Sequence, residues 1–160
     1  MRIISALLLS SLILFCTACG SSAGLTALED FNAVLKKVGN TTTYQMLLSS
    51  AGGSTQLLGL KQKGTLIVPT DDAFNQLGGE ALMKLMDARE TAAQLSLLKK
   101  HVLMDGLTPK KLQAMSTVTA LEGNAIPIKL ESNVLSFGDA KVISSFVTPE
   151  GVVYIVNKVL

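Results

Sequence analysis

The sequence predicts an α+β domain, and three observations support this class. The first two thirds of the 160-residue chain carry apolar residues at the three- and four-residue spacing of helices. Among them lies one short continuous apolar run, Thr65-Leu66-Ile67-Val68, which has the length of a buried strand. The last third alternates apolar and polar residues between turn residues, as antiparallel strands do. Helices followed by a run of strands are typical of α+β domains and not of alternating parallel sheets.

Two helices are predicted before the apolar run. The first begins near Thr26, because Thr26 and Glu29 have the spacing of a capping box, and it ends at Gly39. Its apolar face holds Leu28, Phe31, Leu35 and Val38. The second ends at Gly52-Gly53, and its apolar positions are Tyr44, Leu47, Leu48 and Ala51.

Residues suited to the start of a helix follow the predicted strand, which ends at Pro69. Thr70 is a residue type that caps helices through its hydroxyl, and Asp71 and Asp72 favour the positive end of a helix. We interpret the two carboxylates as helix-start residues in preference to ligands. The helix is expected to carry Ala73, Phe74 and Leu77.

Three more helices are predicted before the final strands. One holds Leu82, Leu85 and Met86, and the next covers about residues 90–100 with Ala92, Leu95 and Leu98 on one face. Thr108 followed by Pro109 indicates a capped, brief helix to about residue 115. The methionines at positions 83, 86, 104 and 115 are expected to fill the core.

The last third predicts a four-stranded antiparallel meander. The strands cover about residues 126–131, 134–137, 140–147 and 152–156, with Gly-, Asn-, Asp- and Pro-containing turns between them. Pro127 suggests that the first of these strands lies at a sheet edge, because proline cannot donate a ladder hydrogen bond.

The N-terminal residues are typical of an export signal. Arg2 supplies a positive charge, and residues 3–15 form an apolar run shorter than the ~20 residues that a spanning helix needs. Cys16-Thr17-Ala18-Cys19 resembles the lipobox of bacterial lipoproteins, which implies cleavage before Cys19 and acylation of its thiol. The alternative is ordinary cleavage and free secretion. The predicted organisation is a signal peptide over 1–18, a lipid-anchored tether over 19–26 and one domain over 27–160.

Composition argues against several function classes. Fourteen basic and twelve acidic residues give a net charge of +2, and without tryptophan or a basic stripe no nucleic-acid binding is expected. His101 is the single histidine, which is too few for a typical zinc site. The sequence has no glycine-rich nucleotide loop, and its one Gly-x-Ser-x-Gly spacing, at residues 20–24, lies in the tether region and not in the strand-to-helix turn that a nucleophile elbow needs. We expect no enzyme, no cofactor and no metal, although a Ser–His–Asp arrangement with Asp72 or Asp105 stays conceivable, since triads assemble in space.

Three motifs resemble the fasciclin (FAS1) domain. Residues 64–74, GTLIVPTDDAF, are similar to its first signature, and residues 151–160, GVVYIVNKVL, to its second. Residues 97–106, LLKKHVLMDG, are similar to the family's Tyr-His segment, with Lys100 in place of the Tyr. The motifs follow the family's order over about residues 27–160. The resemblance implies a β-sandwich wedge flanked by helices.

The resemblance also implies a function, an adhesion or interaction module at the cell envelope. The lipid on Cys19 would hold it to the outer membrane or the cell surface, and a location on the periplasmic side stays open. It would bind a protein or glycan of the surface or matrix. Thr70, Asp71, Asp72 and His101 are the candidate motif residues. A second class stays open, an envelope protein that binds a small apolar or lipid-like ligand between helices and sandwich.

His101 has two interpretations. In animal FAS1 domains the Tyr-His segment is linked to integrin binding, which would make the residue part of a recognition surface. The alternative is a half-buried histidine that holds the helix-to-strand junction by hydrogen bonds, for instance to the turn at Thr70–Asp72. We favour the structural role, because Lys100 removes the tyrosine of the family motif.

Overall fold

The computed structural model of the chain describes residues 31–50 and 63–160. The predicted leader with Cys16 and Cys19, the tether, the capping box at Thr26 and Glu29, and the Gly52-Gly53 stop lie outside the described residues. Within the described part, no helix has the length and apolar character that crossing a membrane requires.

Helices precede the main run of strands, which confirms the α+β class. In chain order the elements are α1 (Phe31–Val38), α2 (Thr42–Ser50), β1 (Gly64–Pro69), α3 (Asp71–Asn75), α4 (Gly79–Met86), α5 (Thr91–Lys100), β2 (Val102–Leu103), α6 (Pro109–Leu112), β3 (Thr117–Thr119), β4 (Ala125–Glu131), β5 (Val134–Phe137), β6 (Ala140–Thr148) and β7 (Gly151–Val156). The short strands β2 and β3 are additions that the sequence patterns did not indicate.

The strands lie in one seven-stranded sheet with the order β2-β1-β7-β6-β5-β4-β3. The predicted meander from β4 to β7 is antiparallel throughout. The pairing of β1 with β7 is parallel, from Gly64 opposite Gly151 to Pro69 opposite Val156. The finer prediction of a sandwich wedge stays a prediction.

Strands β1 and β7 are buried along their whole length because both faces of the sheet are covered at this point. Leu66 and Val153 point into an outer cluster formed with helices α1 to α5. Ile67 and Tyr154, the next residues along each strand, point into an inner cluster with residues of α6, β3, β4 and β5. Residues 65–68 form a continuous apolar run because successive side chains point to opposite faces of the sheet and a hydrophobic core covers each face.

Three sequence predictions on sheet edges and helix ends are wrong. Pro127 does not mark an edge, since β4 lies between β5 and β3. Its missing N–H is tolerated because β5 pairs with β4 only from Ile128 onward, where Phe137 is its partner. Leu77 lies beyond the end of α3 and is 41% exposed. Helix α6 also ends at Leu112, earlier than predicted.

The buried face of α5 differs from the predicted one. Gln94 and Leu98 are its buried residues, whereas Ala92 and Leu95 are exposed. The side-chain amide of Gln94 donates hydrogen bonds to the backbone oxygens of Leu85 (2.9 Å) and Asp87 (3.0 Å). A polar residue is accommodated inside because these bonds replace the water that it loses.

Candidate functional site

The turn between β1 and α3 carries the first motif, and Thr70 begins the helix as predicted. Its hydroxyl oxygen accepts a hydrogen bond of 3.3 Å from the backbone N–H of Ala73, which is the geometry of an N-cap. Its own N–H donates to the backbone oxygen of Val156 at 3.1 Å. Thr70 therefore joins the end of the β1–β7 pair to the start of α3.

Asp71 stands in the first turn of α3, but its carboxylate serves a different helix. Oδ1 accepts from the N–H of Thr43 at 2.7 Å, and Oδ2 accepts from the N–H of Thr42 at 3.0 Å. These amides are at the N-terminus of α2, where they have no partner within their own helix. Burial alone would raise the pKa of Asp71, but the hydrogen bonds from Thr43 and Thr42 outweigh it and hold the pKa below its ordinary value.

Asp72, the next residue, makes a weaker contact on the surface. Its Oδ2 accepts a hydrogen bond of 3.1 Å from the side-chain amide of Asn40, in the link between α1 and α2. The backbone oxygen of Asn40 also accepts from the N–H of Asp71 at 3.0 Å. The two aspartates together fasten the α1–α2 pair to the β1–α3 turn, a role that goes beyond the predicted start of their own helix.

His101 directly follows α5, and its side chain is completely buried. Nδ1 lies 2.8 Å from the backbone oxygen of Leu97, and Nε2 lies 3.1 Å from the backbone N–H of Leu160. Because the first partner is an acceptor and the second a donor, the ring is neutral and carries its proton on Nδ1. The pKa of His101 is lowered to about 4: burial is the largest cause, the hydrogen bond to Leu97 opposes it in part, and the charge of Lys100 adds to the lowering.

The histidine is thus more deeply buried than the predicted half-buried residue, and its ring bonds to Leu97 and Leu160 instead of the Thr70–Asp72 turn. The ring of Tyr44, from α2, meets it edge-on with centroids 6.1 Å apart. Among the described residues the buried hydroxyl of Tyr44 has no hydrogen-bond partner, and burial raises its pKa. This interior contains the chain's one imidazole and keeps it from the surface.

The four predicted motif residues do not form one cluster with a shared ligand position. Thr70, Asp71 and Asp72 lie together at the β1–α3 turn, whereas His101 has its own partners. Cys19, the predicted lipidation site, is outside the described residues. Across residues 31–50 and 63–160, no group of three or more His, Cys, Asp or Glu residues could hold a metal ion.

Four methionines that were expected to fill the core lie on the surface, so that prediction is wrong. Met83 is 74% exposed, Met104 49%, Met115 39% and Met86 37%. Met104 and Met115 line a groove of about 410 Å³ between the two end strands of the sheet. We call it the seam groove, defined by Met104, Asp105, Leu107, Met115 and Thr117–Thr119. The methionines were the one sequence signal for the seam groove, but composition alone does not distinguish an exposed methionine from a buried one.

Comparison with known proteins relates this fold to a family. The family model "Fasciclin domain" matches residues 39–160. Periostin from Homo sapiens is 27% identical over 107 residues, which cover 66% of this chain and 13% of periostin. Fasciclin-like arabinogalactan protein 11 from Arabidopsis thaliana is 31% identical over 116 residues, 69% of this chain and 46% of that protein.

The solved structure of a FAS1 domain pair from the insect cell adhesion molecule Fasciclin I has the same fold. It superposes with a TM-score of 0.58 at 18% sequence identity, and the match covers 78% of this chain and 46% of that one. The chain spans less than half the length of each of these proteins. Because the family model matches well over half of its residues, the chain belongs to the Fasciclin domain family.

Proposed function

We propose that the chain is an exported, lipid-anchored adhesion or interaction module of the fasciclin type. It binds extracellular or surface macromolecules, protein or glycan, and performs no catalysis. Membership of the family supports this function, and the insect protein with the same fold is a cell adhesion molecule. The function of the whole protein is part of the proposal, because the chain matches only a portion of its relatives.

The enclosure of His101 is the observation that carries the non-catalytic part. The sequence has a single histidine, and its ring is buried with both nitrogens engaged by backbone groups. A general base or a metal ligand must reach the reacting atoms, which this ring does only if the core opens. The groups that the domain offers to a partner are therefore those of its exterior.

Anchoring rests on the lipobox-like Cys16-Thr17-Ala18-Cys19, and two variants test it. Cys19→Ser removes the predicted acylated thiol, whereas Cys16→Leu removes the other thiol and brings the motif closer to the usual lipobox. We expect the full chain and Cys16→Leu to partition with membranes and to show the mass of an acylated Cys19, and Cys19→Ser to lack both. An unmodified Cys19 thiol in the wild-type protein would contradict the anchor.

Binding is tested with vesicles that contain the full chain and with empty vesicles as the control. Surface proteins and glycans released from the producing cells are incubated with both, and the proposal predicts specific retention of a macromolecule by the loaded vesicles. The small apolar or lipid-like ligand stays the alternative. Its signature is a co-purified small molecule, seen by native mass spectrometry, together with no retained macromolecule.

A further inference from the structure

The two end strands of the sheet meet at a single point. Leu103 of β2 and Ala120, just after β3, form an isolated antiparallel bridge, and the N–H of Leu121 donates to the oxygen of Val102 at 2.7 Å. Continued pairing in this register would place residues 104, 105 and 106 opposite residues 119, 118 and 117. The sheet pairings contain none of these pairs, so the two strands separate beyond the bridge and the seam groove lies between them.

The outer edge of β3 turns its backbone groups toward this groove. The oxygen of Ser116 accepts from the N–H of Ile128 at 2.8 Å, and the N–H of Ala120 donates to the oxygen of Asn124 at 2.9 Å. Positions 116 and 120 therefore face the β4 side. In an antiparallel ladder the direction alternates from residue to residue, so Thr117 and Thr119 direct their N–H and C=O groups to the side away from β4. Such an edge is a template for another strand.

Most side chains that line the groove are apolar, and one, that of Asp105, is acidic. The buried lining residues of the groove, among them Leu107 and Val118, belong to the inner cluster, while Met104 and Met115 are exposed. Methionine is common on surfaces that accept varied apolar partners, because its unbranched thioether adapts its shape. The volume of about 410 Å³ falls in the range of roughly 300–1,000 Å³ typical of binding clefts.

Asp105 gives the groove its charge. Among the residues that line it, Asp105 alone carries an ionisable side chain, which is exposed. Its backbone oxygen accepts a hydrogen bond from the hydroxyl of Thr65 at 2.6 Å, which fixes the residue at the rim. Within the described part of the chain its carboxylate takes no hydrogen bond and no ion pair, so it is available to a basic group of a partner.

We propose that the seam groove binds an extended peptide segment of a partner protein. The segment adds as a strand to the outer edge of β3, places an apolar side chain between Met104 and Met115, and brings a Lys or Arg next to Asp105. This mode of recognition takes affinity from main-chain hydrogen bonds and specificity from alternate side chains. The inference rests on the proposed function, because it names the partner class of an interaction module.

A second copy of the chain fits this groove less well. Strand β3 presents only Thr117–Thr119, whereas a stable interface between two proteins buries roughly 1,200–2,000 Å². An extended peptide can pair with such a short edge, because it does not need the large contact area of a second folded domain.

A random heptapeptide library displayed on phage tests the proposal. The full chain in detergent micelles is the bait, and empty micelles serve for counter-selection. We expect the retained peptides to carry apolar residues at alternate positions and a Lys or Arg. In NMR spectra a synthetic copy of such a peptide is expected to shift the amide signals of Thr117 and Thr119. No enrichment, or amide shifts confined to other residues, would overturn the proposal.

Three variants sharpen the measurement. Asp105→Lys reverses the charge at the rim, Met115→Lys spoils the apolar wall, and Thr119→Pro removes an outward N–H; we expect each to weaken peptide binding at least about tenfold. Met83→Lys, on the exposed face of α4, is the matched control and should bind as the wild type does. Each variant is used only if its thermal midpoint shows a folded domain, and Met115→Lys is expected to keep the fold because Met115 is exposed.

The outcomes distinguish this inference from the function on which it rests. Equal peptide binding by Met115→Lys and the wild type overturns the groove, and a wild-type dimer that Met115→Lys dissociates overturns the peptide as its occupant. If the groove variants keep the wild-type retention of a macromolecule on vesicles, the groove is wrong and the interaction module stands. If the wild type retains no macromolecule, the proposed function itself fails.

Discussion

Nε2 of His101 accepts a hydrogen bond of 3.1 Å from the backbone N–H of Leu160, a residue 59 positions later in the chain. The opposite ring nitrogen bonds to the oxygen of Leu97, four positions earlier. One side chain thus ties the end of α5 to the second fasciclin-like motif. Because Nε2 must stay unprotonated to accept this bond, the junction depends on pH.

Stability is expected to fall as the pH decreases from about 6.5 to about 4. The pKa of His101 is lowered from 6.5 to about 4 in the folded chain, so in this window only the unfolded chain binds the proton. The difference corresponds to a loss on the order of 3 kcal/mol in unfolding free energy, complete near the lower pH. Urea unfolding across the window measures it, with His101→Gln as the control that cannot titrate. An equally steep dependence in His101→Gln would contradict the assignment.

Asp71→Ala is expected to destabilise the domain more than Asp72→Ala does. Asp71 accepts two backbone N–H groups at the start of α2, whereas Asp72 holds one exposed side-chain amide. Loss of a helix cap costs about 0.5–2 kcal/mol, and exposed contacts cost less. Chemical unfolding at neutral pH compares the two variants, which make the same change in helix propensity at neighbouring positions. Equal losses would show that the carboxylate of Asp71 does not cap α2.

Thr70→Ala should lower the unfolding free energy by about 0.5–2 kcal/mol, because it removes the oxygen that caps α3. Thr70→Ser keeps that oxygen and is the matched control. The thermal midpoint of the serine variant is therefore expected to stay closer to the wild-type value. An unchanged midpoint in Thr70→Ala would reject the capping role.

Gly151→Ala is expected to disrupt the pairing of β1 with β7. Gly151 has φ +143°, and a Cβ at this position would lie 1.7 Å from the backbone oxygen of Gly64, which it would have to displace. We expect a loss of about 4 kcal/mol or more, or no folded protein. Gly123→Ala separates the contact from the backbone effect, since Gly123 has φ +100° but open space around it and should cost about 1–2 kcal/mol. Similar losses in the two variants would contradict the steric explanation.

Local patterns predicted local structure well. The caps at Thr70 and Thr108 were predictable because each joins residues three positions apart. The capping of α2 by Asp71 was not, since its partners lie 28 and 29 positions earlier in the chain. The parallel pairing of β1 with β7 is likewise a contact between distant segments, which no short-range period encodes.

Burial is harder to predict than element type, because an apolar side chain is not always buried and a polar one is not always exposed. Gln94 lies on the buried face of α5 because two backbone oxygens accept hydrogen bonds from its side-chain amide. Met104 and Met115 are outside because the end strands separate beyond one bridge and leave the seam groove between them. Both outcomes depend on where other elements lie, so helical periodicity alone could not predict them.

The central claim, a membrane-held module that works by adhesion, is tested most directly on the cells that produce the chain. Their retention on a surface under flow is measured for the wild type, for a strain without the chain, and for Cys19→Ser with Cys16→Leu as its control. We predict that the wild type and Cys16→Leu are retained equally, and that Cys19→Ser falls to the level of the strain without the chain. Equal retention of all four strains would contradict the claim.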